Sequence, residues 1–228
     1  MINTKLLAMK NVNIFKGALD KCDILIDQIP KDGSNRNVLL YGYFISLIQL
    51  AKDLDFLREN NRIHSFLLIS RVFVETYLDL KLVIEINGYE KRLILDSCKQ
   101  ELRSLNHVLQ SKDLIIEDRI PLISRKYELE SDIEMISNHD VPKIFTIKDK
   151  FKALKMEPEY HFLYSSLSSF AHNDVQKVME NHFLFHPDKV VLSNSSRPKE
   201  HHVSMIIPYL EAFMNDARSI LEKKCSGL

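Results

Sequence analysis

The sequence predicts an all-α, single-domain bundle of seven or eight helices over residues 1–228, with one small β-hairpin near residues 182–192. Three observations lead there. Only five Gly and seven Pro occur in 228 residues, whereas an all-β chain needs a turn about every 8 to 12 residues. Hydrophobic residues at 45% and charged residues at 27% are ordinary globular values, which excludes collagen-like and disordered chains. Apolar residues also recur at spacings of three and four over long stretches, the signature of helices with one buried face.

A first helix is expected over Val12 to Ile29. Gly33-Ser34 signals the start of a second, where Leu40, Phe44, Leu47 and Ile48 keep helical spacing until Asn60-Asn61 interrupts it. From Ile63 to Ile86 the residues are apolar almost all round, which marks a helix enclosed by others and the centre of the fold. Asn87-Gly88 stops it, and Tyr89 to Leu109 reads as an amphipathic helix with Leu93, Leu102, Leu105 and Leu109 inward. A fifth helix is expected from Pro121, as its first-turn residue, to Asn138. Thr146 and Asp149 form a capping-box pattern opening a short helix over Ile147 to Leu154, and Pro158 opens another that runs to His172. The strand signals are His182 to Phe185 and Val190 to Leu192, joined by His186-Pro187-Asp188-Lys189. A last helix covers Val203 to Lys224, with His201-His202 solvated at its N-terminus.

Charge and cysteine usage narrow the function classes. Thirty-one Lys+Arg against thirty-one Asp+Glu leaves no basic excess to drive nonspecific binding to nucleic acid or acidic membranes. Cys22, Cys98 and Cys225 are widely spaced, with no Cys-x-x-Cys pair, so a reducing, cytoplasmic setting is expected in place of a disulfide framework or zinc knuckle. No run reaches the roughly 18 uncharged residues of a membrane span, and no membrane partner is expected.

Two polar features stand out against this apolar background. Arg71 and Glu75 lie one turn apart in the central helix, where each charge loses several kcal/mol of hydration unless it is paired. Their spacing lets them pair, either to lock helix packing or to hold the guanidinium fork toward an anion. On the helix after Pro158, at about 100° per residue, Glu157, His161, Tyr164, Ser168 and His172 share one stripe bordering an apolar face of Leu163, Leu167, Phe170 and Ala171.

Arg71-x-x-x-Glu75, followed later by Tyr164-x-x-Leu167-Ser168-x-x-x-His172, resembles a bacterial family of helical domains of unknown function. The resemblance spans roughly residues 63–174, including the short helix Ile147 to Leu154. Asn173-Asp174 follows the His where members commonly carry a small residue, so a carboxylate is added there. The resemblance implies a helical fold and a candidate site and brings no established activity.

The helical HEPN ribonucleases use Arg, a short polar spacer and then His. Arg58 to His64 and Arg197 to His202 have that spacing, but the first crosses the Asn60-Asn61 break and the second precedes Pro198 in a polar loop. His182 and His186 sit on expected strands, where residues four apart are about 13 Å from each other, too far for one metal. No phosphate-binding Gly loop or nucleophile elbow occurs, and Ser168 with His172 lacks an oxyanion hole. No metal and no cofactor are expected.

Three functions follow. The first is a binding or sensing module in which Glu75 orients Arg71, Arg71 holds an anion, Tyr164 and Ser168 supply hydroxyl hydrogen bonds, and His172 responds to charge near neutral pH. The second is a divergent HEPN-like, metal-independent ribonuclease, a toxin or antiphage effector, with His172 as general base and Arg71 stabilising the phosphate. The third is a structural or interaction protein in which the cluster fixes helix register. The corresponding partners are an anionic ligand, RNA, or a protein that includes a second copy of the chain.

Overall fold

A computed structural model of the chain describes residues 14–20, 22, 25, 33–111, 115–171, 183–186, 188–192 and 200–225. Of the expected first helix, the described residues include α1, Lys16–Leu19, and the helical Cys22 and Leu25. Its N-terminal side is tied down from a distance, because the Ile14 amide donates to Asp55 Oδ1 at 2.8 Å. Asp55 is 5% exposed, and its burial holds the carboxyl pKa above the ordinary value against the pull of that backbone bond.

The long helices form where their stop and start residues place them. Ser34 caps α2, Asn35–Glu59, by accepting the Asn37 amide at 3.3 Å. Asn60 closes the helix and Asn61 takes the left-handed conformation at φ 55°, one of the few backbones Asn tolerates better than most residues. The central helix α3 then runs Ile63–Glu85, with Phe66, Leu67, Phe73, Val74 and Leu78 fully buried. Gly88, at φ 77°, is the N-cap of α4, Tyr89–Leu109. A Cβ there would meet the Asp140 carbonyl oxygen at 3.3 Å, so both conformation and space call for glycine.

Contacts group the chain into two compact units, Met1–Lys81 with Thr146–Leu228, and Leu82–Phe145. The division falls inside α3 and not at a Pro-, Gly- or Ser-rich linker, so composition carries no trace of it.

In the second unit α4 packs on α5, Ile116–Ser137. This helix begins five residues before Pro121, where the sequence placed its start. Arg119 accounts for the difference: its guanidinium donates to the Leu109 and Ser111 carbonyls at 3.3 and 2.7 Å and anchors the first turn. Pro121 then costs only the bond to a first-turn carbonyl. The inward face of α4 also departs from expectation. Leu105 is buried, but Leu93, Leu102 and Leu109 are half-buried, and Tyr89, Arg92 and Leu95 take the interior positions instead. Arg92 is admitted because Asp96 binds it through two nitrogens and Phe145 lies 4.2 Å from its guanidinium carbon.

The first unit continues with α6, Ile147–Ala153, opened by a complete Thr146–Asp149 capping box. A short helix α7, Glu157–Glu159, leads into a π segment, Tyr160–Tyr164, and then α8, Ser165–Ala171. Strands β1, Phe183–His186, and β2, Lys189–Leu192, pair antiparallel. His186 faces Lys189, so two residues separate the strands where a four-residue connection was expected, and the ladder gains a pair. The last helix α9 is Glu200–Cys225. It packs on α1 and α2, Tyr77 of α3 stacks on its Phe213 at 4.4 Å, and Arg218 donates to the Gly17 carbonyl at 2.9 Å. His202, expected in solvent, is half-buried with its ring edge-on to Phe170 at 5.1 Å. The architecture is all-α, two four-residue strands aside, and no helix among the described residues is long and apolar enough to cross a membrane.

Candidate functional site

Arg71 and Glu75 occupy successive turns on one face of α3, and the pair forms: Arg71 Nε donates to Glu75 Oε1 at 2.9 Å. Their side chains are 23% and 33% exposed. The sequence placed this pair inside a helix enclosed on all sides; the structure leaves it partly open to solvent.

Tyr164 completes the cluster from the π segment. Its hydroxyl donates to the same Glu75 oxygen at 2.7 Å, and the Arg71 guanidinium carbon lies 5.4 Å from its ring centroid. One carboxylate oxygen therefore accepts from a cation and a phenol that also face each other. Burial, then the Glu75 hydrogen bond and charge, push the Tyr164 phenol up to about 12, with Arg71 pulling the other way. Burial disfavours the Arg71 charge, but the Glu75 hydrogen bond and the contact with Tyr164 outweigh it and hold the guanidinium above its ordinary value.

The π segment explains how Tyr164 reaches inward. The Ser165 amide bonds to the Tyr160 carbonyl, five residues back, so this turn holds an extra residue. The uniform 100° progression assumed for the helix is thereby broken. Glu157 and His161 lie exposed in solvent while Tyr164 is buried, and the single stripe expected from Glu157 to His172 divides. Serine hydroxyls serve the widened turn: Ser165 Oγ donates to the His161 carbonyl and Ser166 Oγ to that of Phe162, at 2.5 and 2.9 Å. Phe151 of α6 supports the arrangement, packing against Tyr160 and Tyr164 at 5.6 and 5.7 Å between centroids.

Of the five expected site residues, Arg71, Glu75 and Tyr164 are brought together. Ser168 sits one turn past Tyr164, half-buried, and its hydroxyl makes no hydrogen bond among the described residues. His172, and with it the Arg71-to-His172 separation required by a nuclease, lies outside the described residues. No group of three or more His, Cys, Asp or Glu suited to a metal occurs among the described residues.

The sequence reading missed a second polar group on the same helix. Lys150 of α6 donates to Asp79 Oδ1 at 2.6 Å, with side chains 17% and 14% exposed. Asp79 also acts electrostatically on Tyr43 of α2, whose phenol is pushed above its ordinary range first by burial and then by that carboxylate. The available signal was the spacing of Asp79, four residues beyond Glu75 in an otherwise apolar run.

What fold and site define is a helical protein carrying a half-buried Arg–Glu–Tyr cluster on its central helix. The chain belongs to a family of unknown function, DUF5677, whose model matches residues 37–190. This match is wider than the stretch of residues 63–174 that carried the resemblance. No curated protein and no solved structure matches the chain.

Proposed function

We propose that the chain is a binding or sensing module for an anionic ligand, in which Arg71 holds the anion, Glu75 fixes the direction of its guanidinium and Tyr164 and Ser168 offer hydroxyls. The observation that carries this reading is the convergence of Arg71 Nε and Tyr164 Oη on Glu75 Oε1 in a partly exposed cluster. A guanidinium has five N–H donors in a planar fork, and a carboxylate engaging Nε orients the whole fork. His172 takes the role of a charge-responsive neighbour in this reading. The widely spaced cysteines, with no Cys-x-x-Cys pair, support a reducing bacterial cytoplasm as the setting.

Calorimetric titration of the full chain with inorganic phosphate tests the proposal. The wild type is expected to bind, and Arg71→Gln to bind at least about tenfold more weakly, the loss of one charge-assisted contact. Equal binding by both overturns it. Cleavage of single-stranded RNA that is lost in His172→Ala replaces it with the ribonuclease reading.

A further inference from the structure

The polar face of α3 carries two carboxylate–cation pairs whose carboxylates stand one helical turn apart. At Glu75, the carboxylate meets the cation Arg71 and the phenol Tyr164. At Asp79, the carboxylate meets the cation Lys150 and acts on the phenol Tyr43. The partners arrive from α6 and the π segment, so two separate elements bring hydrogen-bond donors to the carboxylates on one face of α3. We propose that Lys150, held by Asp79, is a second anion-binding residue, and that the ligand is a small molecule bearing two phosphoryl groups about one helical turn, roughly 5–6 Å, apart. This rests on the anion-binding role of Arg71.

The geometry favours a compact ligand over a nucleic-acid strand. Each cation is matched by a carboxylate, and the four charged side chains are only 14% to 33% exposed. A backbone-tracking surface instead needs an uncompensated basic excess, which neither this face nor the chain, at formal net charge +0, supplies. Carboxylates that orient the two cations also give a reason for Glu75 and Asp79 to remain in an otherwise apolar helix: one turn apart, they hold their cations at separate points, and in the proposed site a ligand with one phosphoryl group, or with two that share a bridging oxygen, engages only one of them.

The experiment titrates the full chain with a three-carbon diol bisphosphate, pyrophosphate and inorganic phosphate. The wild type is expected to bind the diol bisphosphate about tenfold more tightly than phosphate or pyrophosphate, the worth of one further charge-assisted contact. In the double variant Asp79→Asn with Lys150→Gln, which keeps an amide pair that can hydrogen-bond and the same net charge, the ratio is expected to fall to about one. Arg71→Gln is expected to weaken all three ligands. A wild-type ratio near one, or a ratio that survives in the double variant, overturns the second binding residue while leaving phosphate binding at Arg71 standing. Absence of any phosphate binding by the wild type removes the anion-binding reading itself. A short single-stranded RNA that binds more tightly than the bisphosphate overturns the choice of a small ligand.

Discussion

Tyr164 Oη lies 2.7 Å from Glu75 Oε1 across 89 residues of sequence, and the oxygen it uses is the one that Arg71 Nε also reaches. Two donors on one oxygen make this carboxylate the hinge of the cluster. Its removal releases both donors, whereas loss of either donor leaves the other in place.

Arg71→Ala is expected to cost about 1–2 kcal/mol of unfolding free energy. A fully buried ion pair broken on one side costs about 3–5 kcal/mol. Here the side chains are 23% and 33% exposed, so water reaches the abandoned carboxylate, and Tyr164 still binds it. Urea denaturation measures the difference, and a loss above about 4 kcal/mol would show that Arg71 is needed chiefly for packing.

The Tyr164 phenol, pushed up to about 12 mainly by burial and then by Glu75, is expected to ionise later than an exposed tyrosine. The sign follows from linkage. An unfolded phenol titrates near pH 10, so stability from this group is intact below that, falls as the unfolded state loses its proton first, and is gone above about pH 12. Ultraviolet titration of the phenolates should show two late tyrosines, Tyr43 and Tyr164, of which the Tyr164 transition moves to lower pH in Glu75→Gln. An unmoved transition would contradict the assignment of Glu75 as a contributor to the shift.

Lys150→Ala should destabilise more than Arg71→Ala, by about 2–4 kcal/mol, because it strands the Asp79 carboxylate in a less exposed position. The pair replacement Asp79→Leu with Lys150→Met should recover most of that loss, since apolar groups of similar volume avoid the desolvation of both charges. Thermal melts of the single and double variants compare the two. A double variant as unstable as the single would show that the pair supplies net stabilisation.

Gly88→Ala is expected to cost about 1–2 kcal/mol from the left-handed conformation alone, with a further loss from the 3.3 Å approach of a new Cβ to the Asp140 carbonyl oxygen. Gly42→Ala, in a helix with nothing within 4 Å of a built Cβ, should instead stabilise the protein slightly. Paired denaturation curves separate the two cases by sign.

Much of the helix layout was legible because its signals are local. Ser34, Asn60-Asn61, Gly88 and Thr146 with Asp149 each act within one turn of their own position, and each marks the boundary it advertises. The apolar run of α3 likewise identifies its central place, since no surface helix tolerates so many buried positions around its circumference. What stayed hidden depends on partners distant in sequence. Arg92 enters the interior because Phe145 and Asp96 receive it, and α5 starts early because Arg119 reaches back to α4. Lys150 looks like one more charge on a short helix until Asp79 is seen opposite it. In the site, the Arg71–Glu75 spacing was readable from helical geometry, and the division of the stripe that parts Tyr164 from Glu157 and His161 was not, because nothing in a stretch of Tyr, His, Phe and Leu announces a bond five residues long.

That five-residue bond sets a phase boundary within one nearly continuous rod. An additional residue displaces everything after it by about 100° around the axis, so the residues before Tyr160 and those after Tyr164 are read by different surroundings although they share one helix path. A relative one residue shorter between these points would keep every motif letter and lose the meeting of phenol and carboxylate. Length, counted to the single residue between Tyr160 and Ser165, is therefore as much a mark of this site as the identity of the side chains in it.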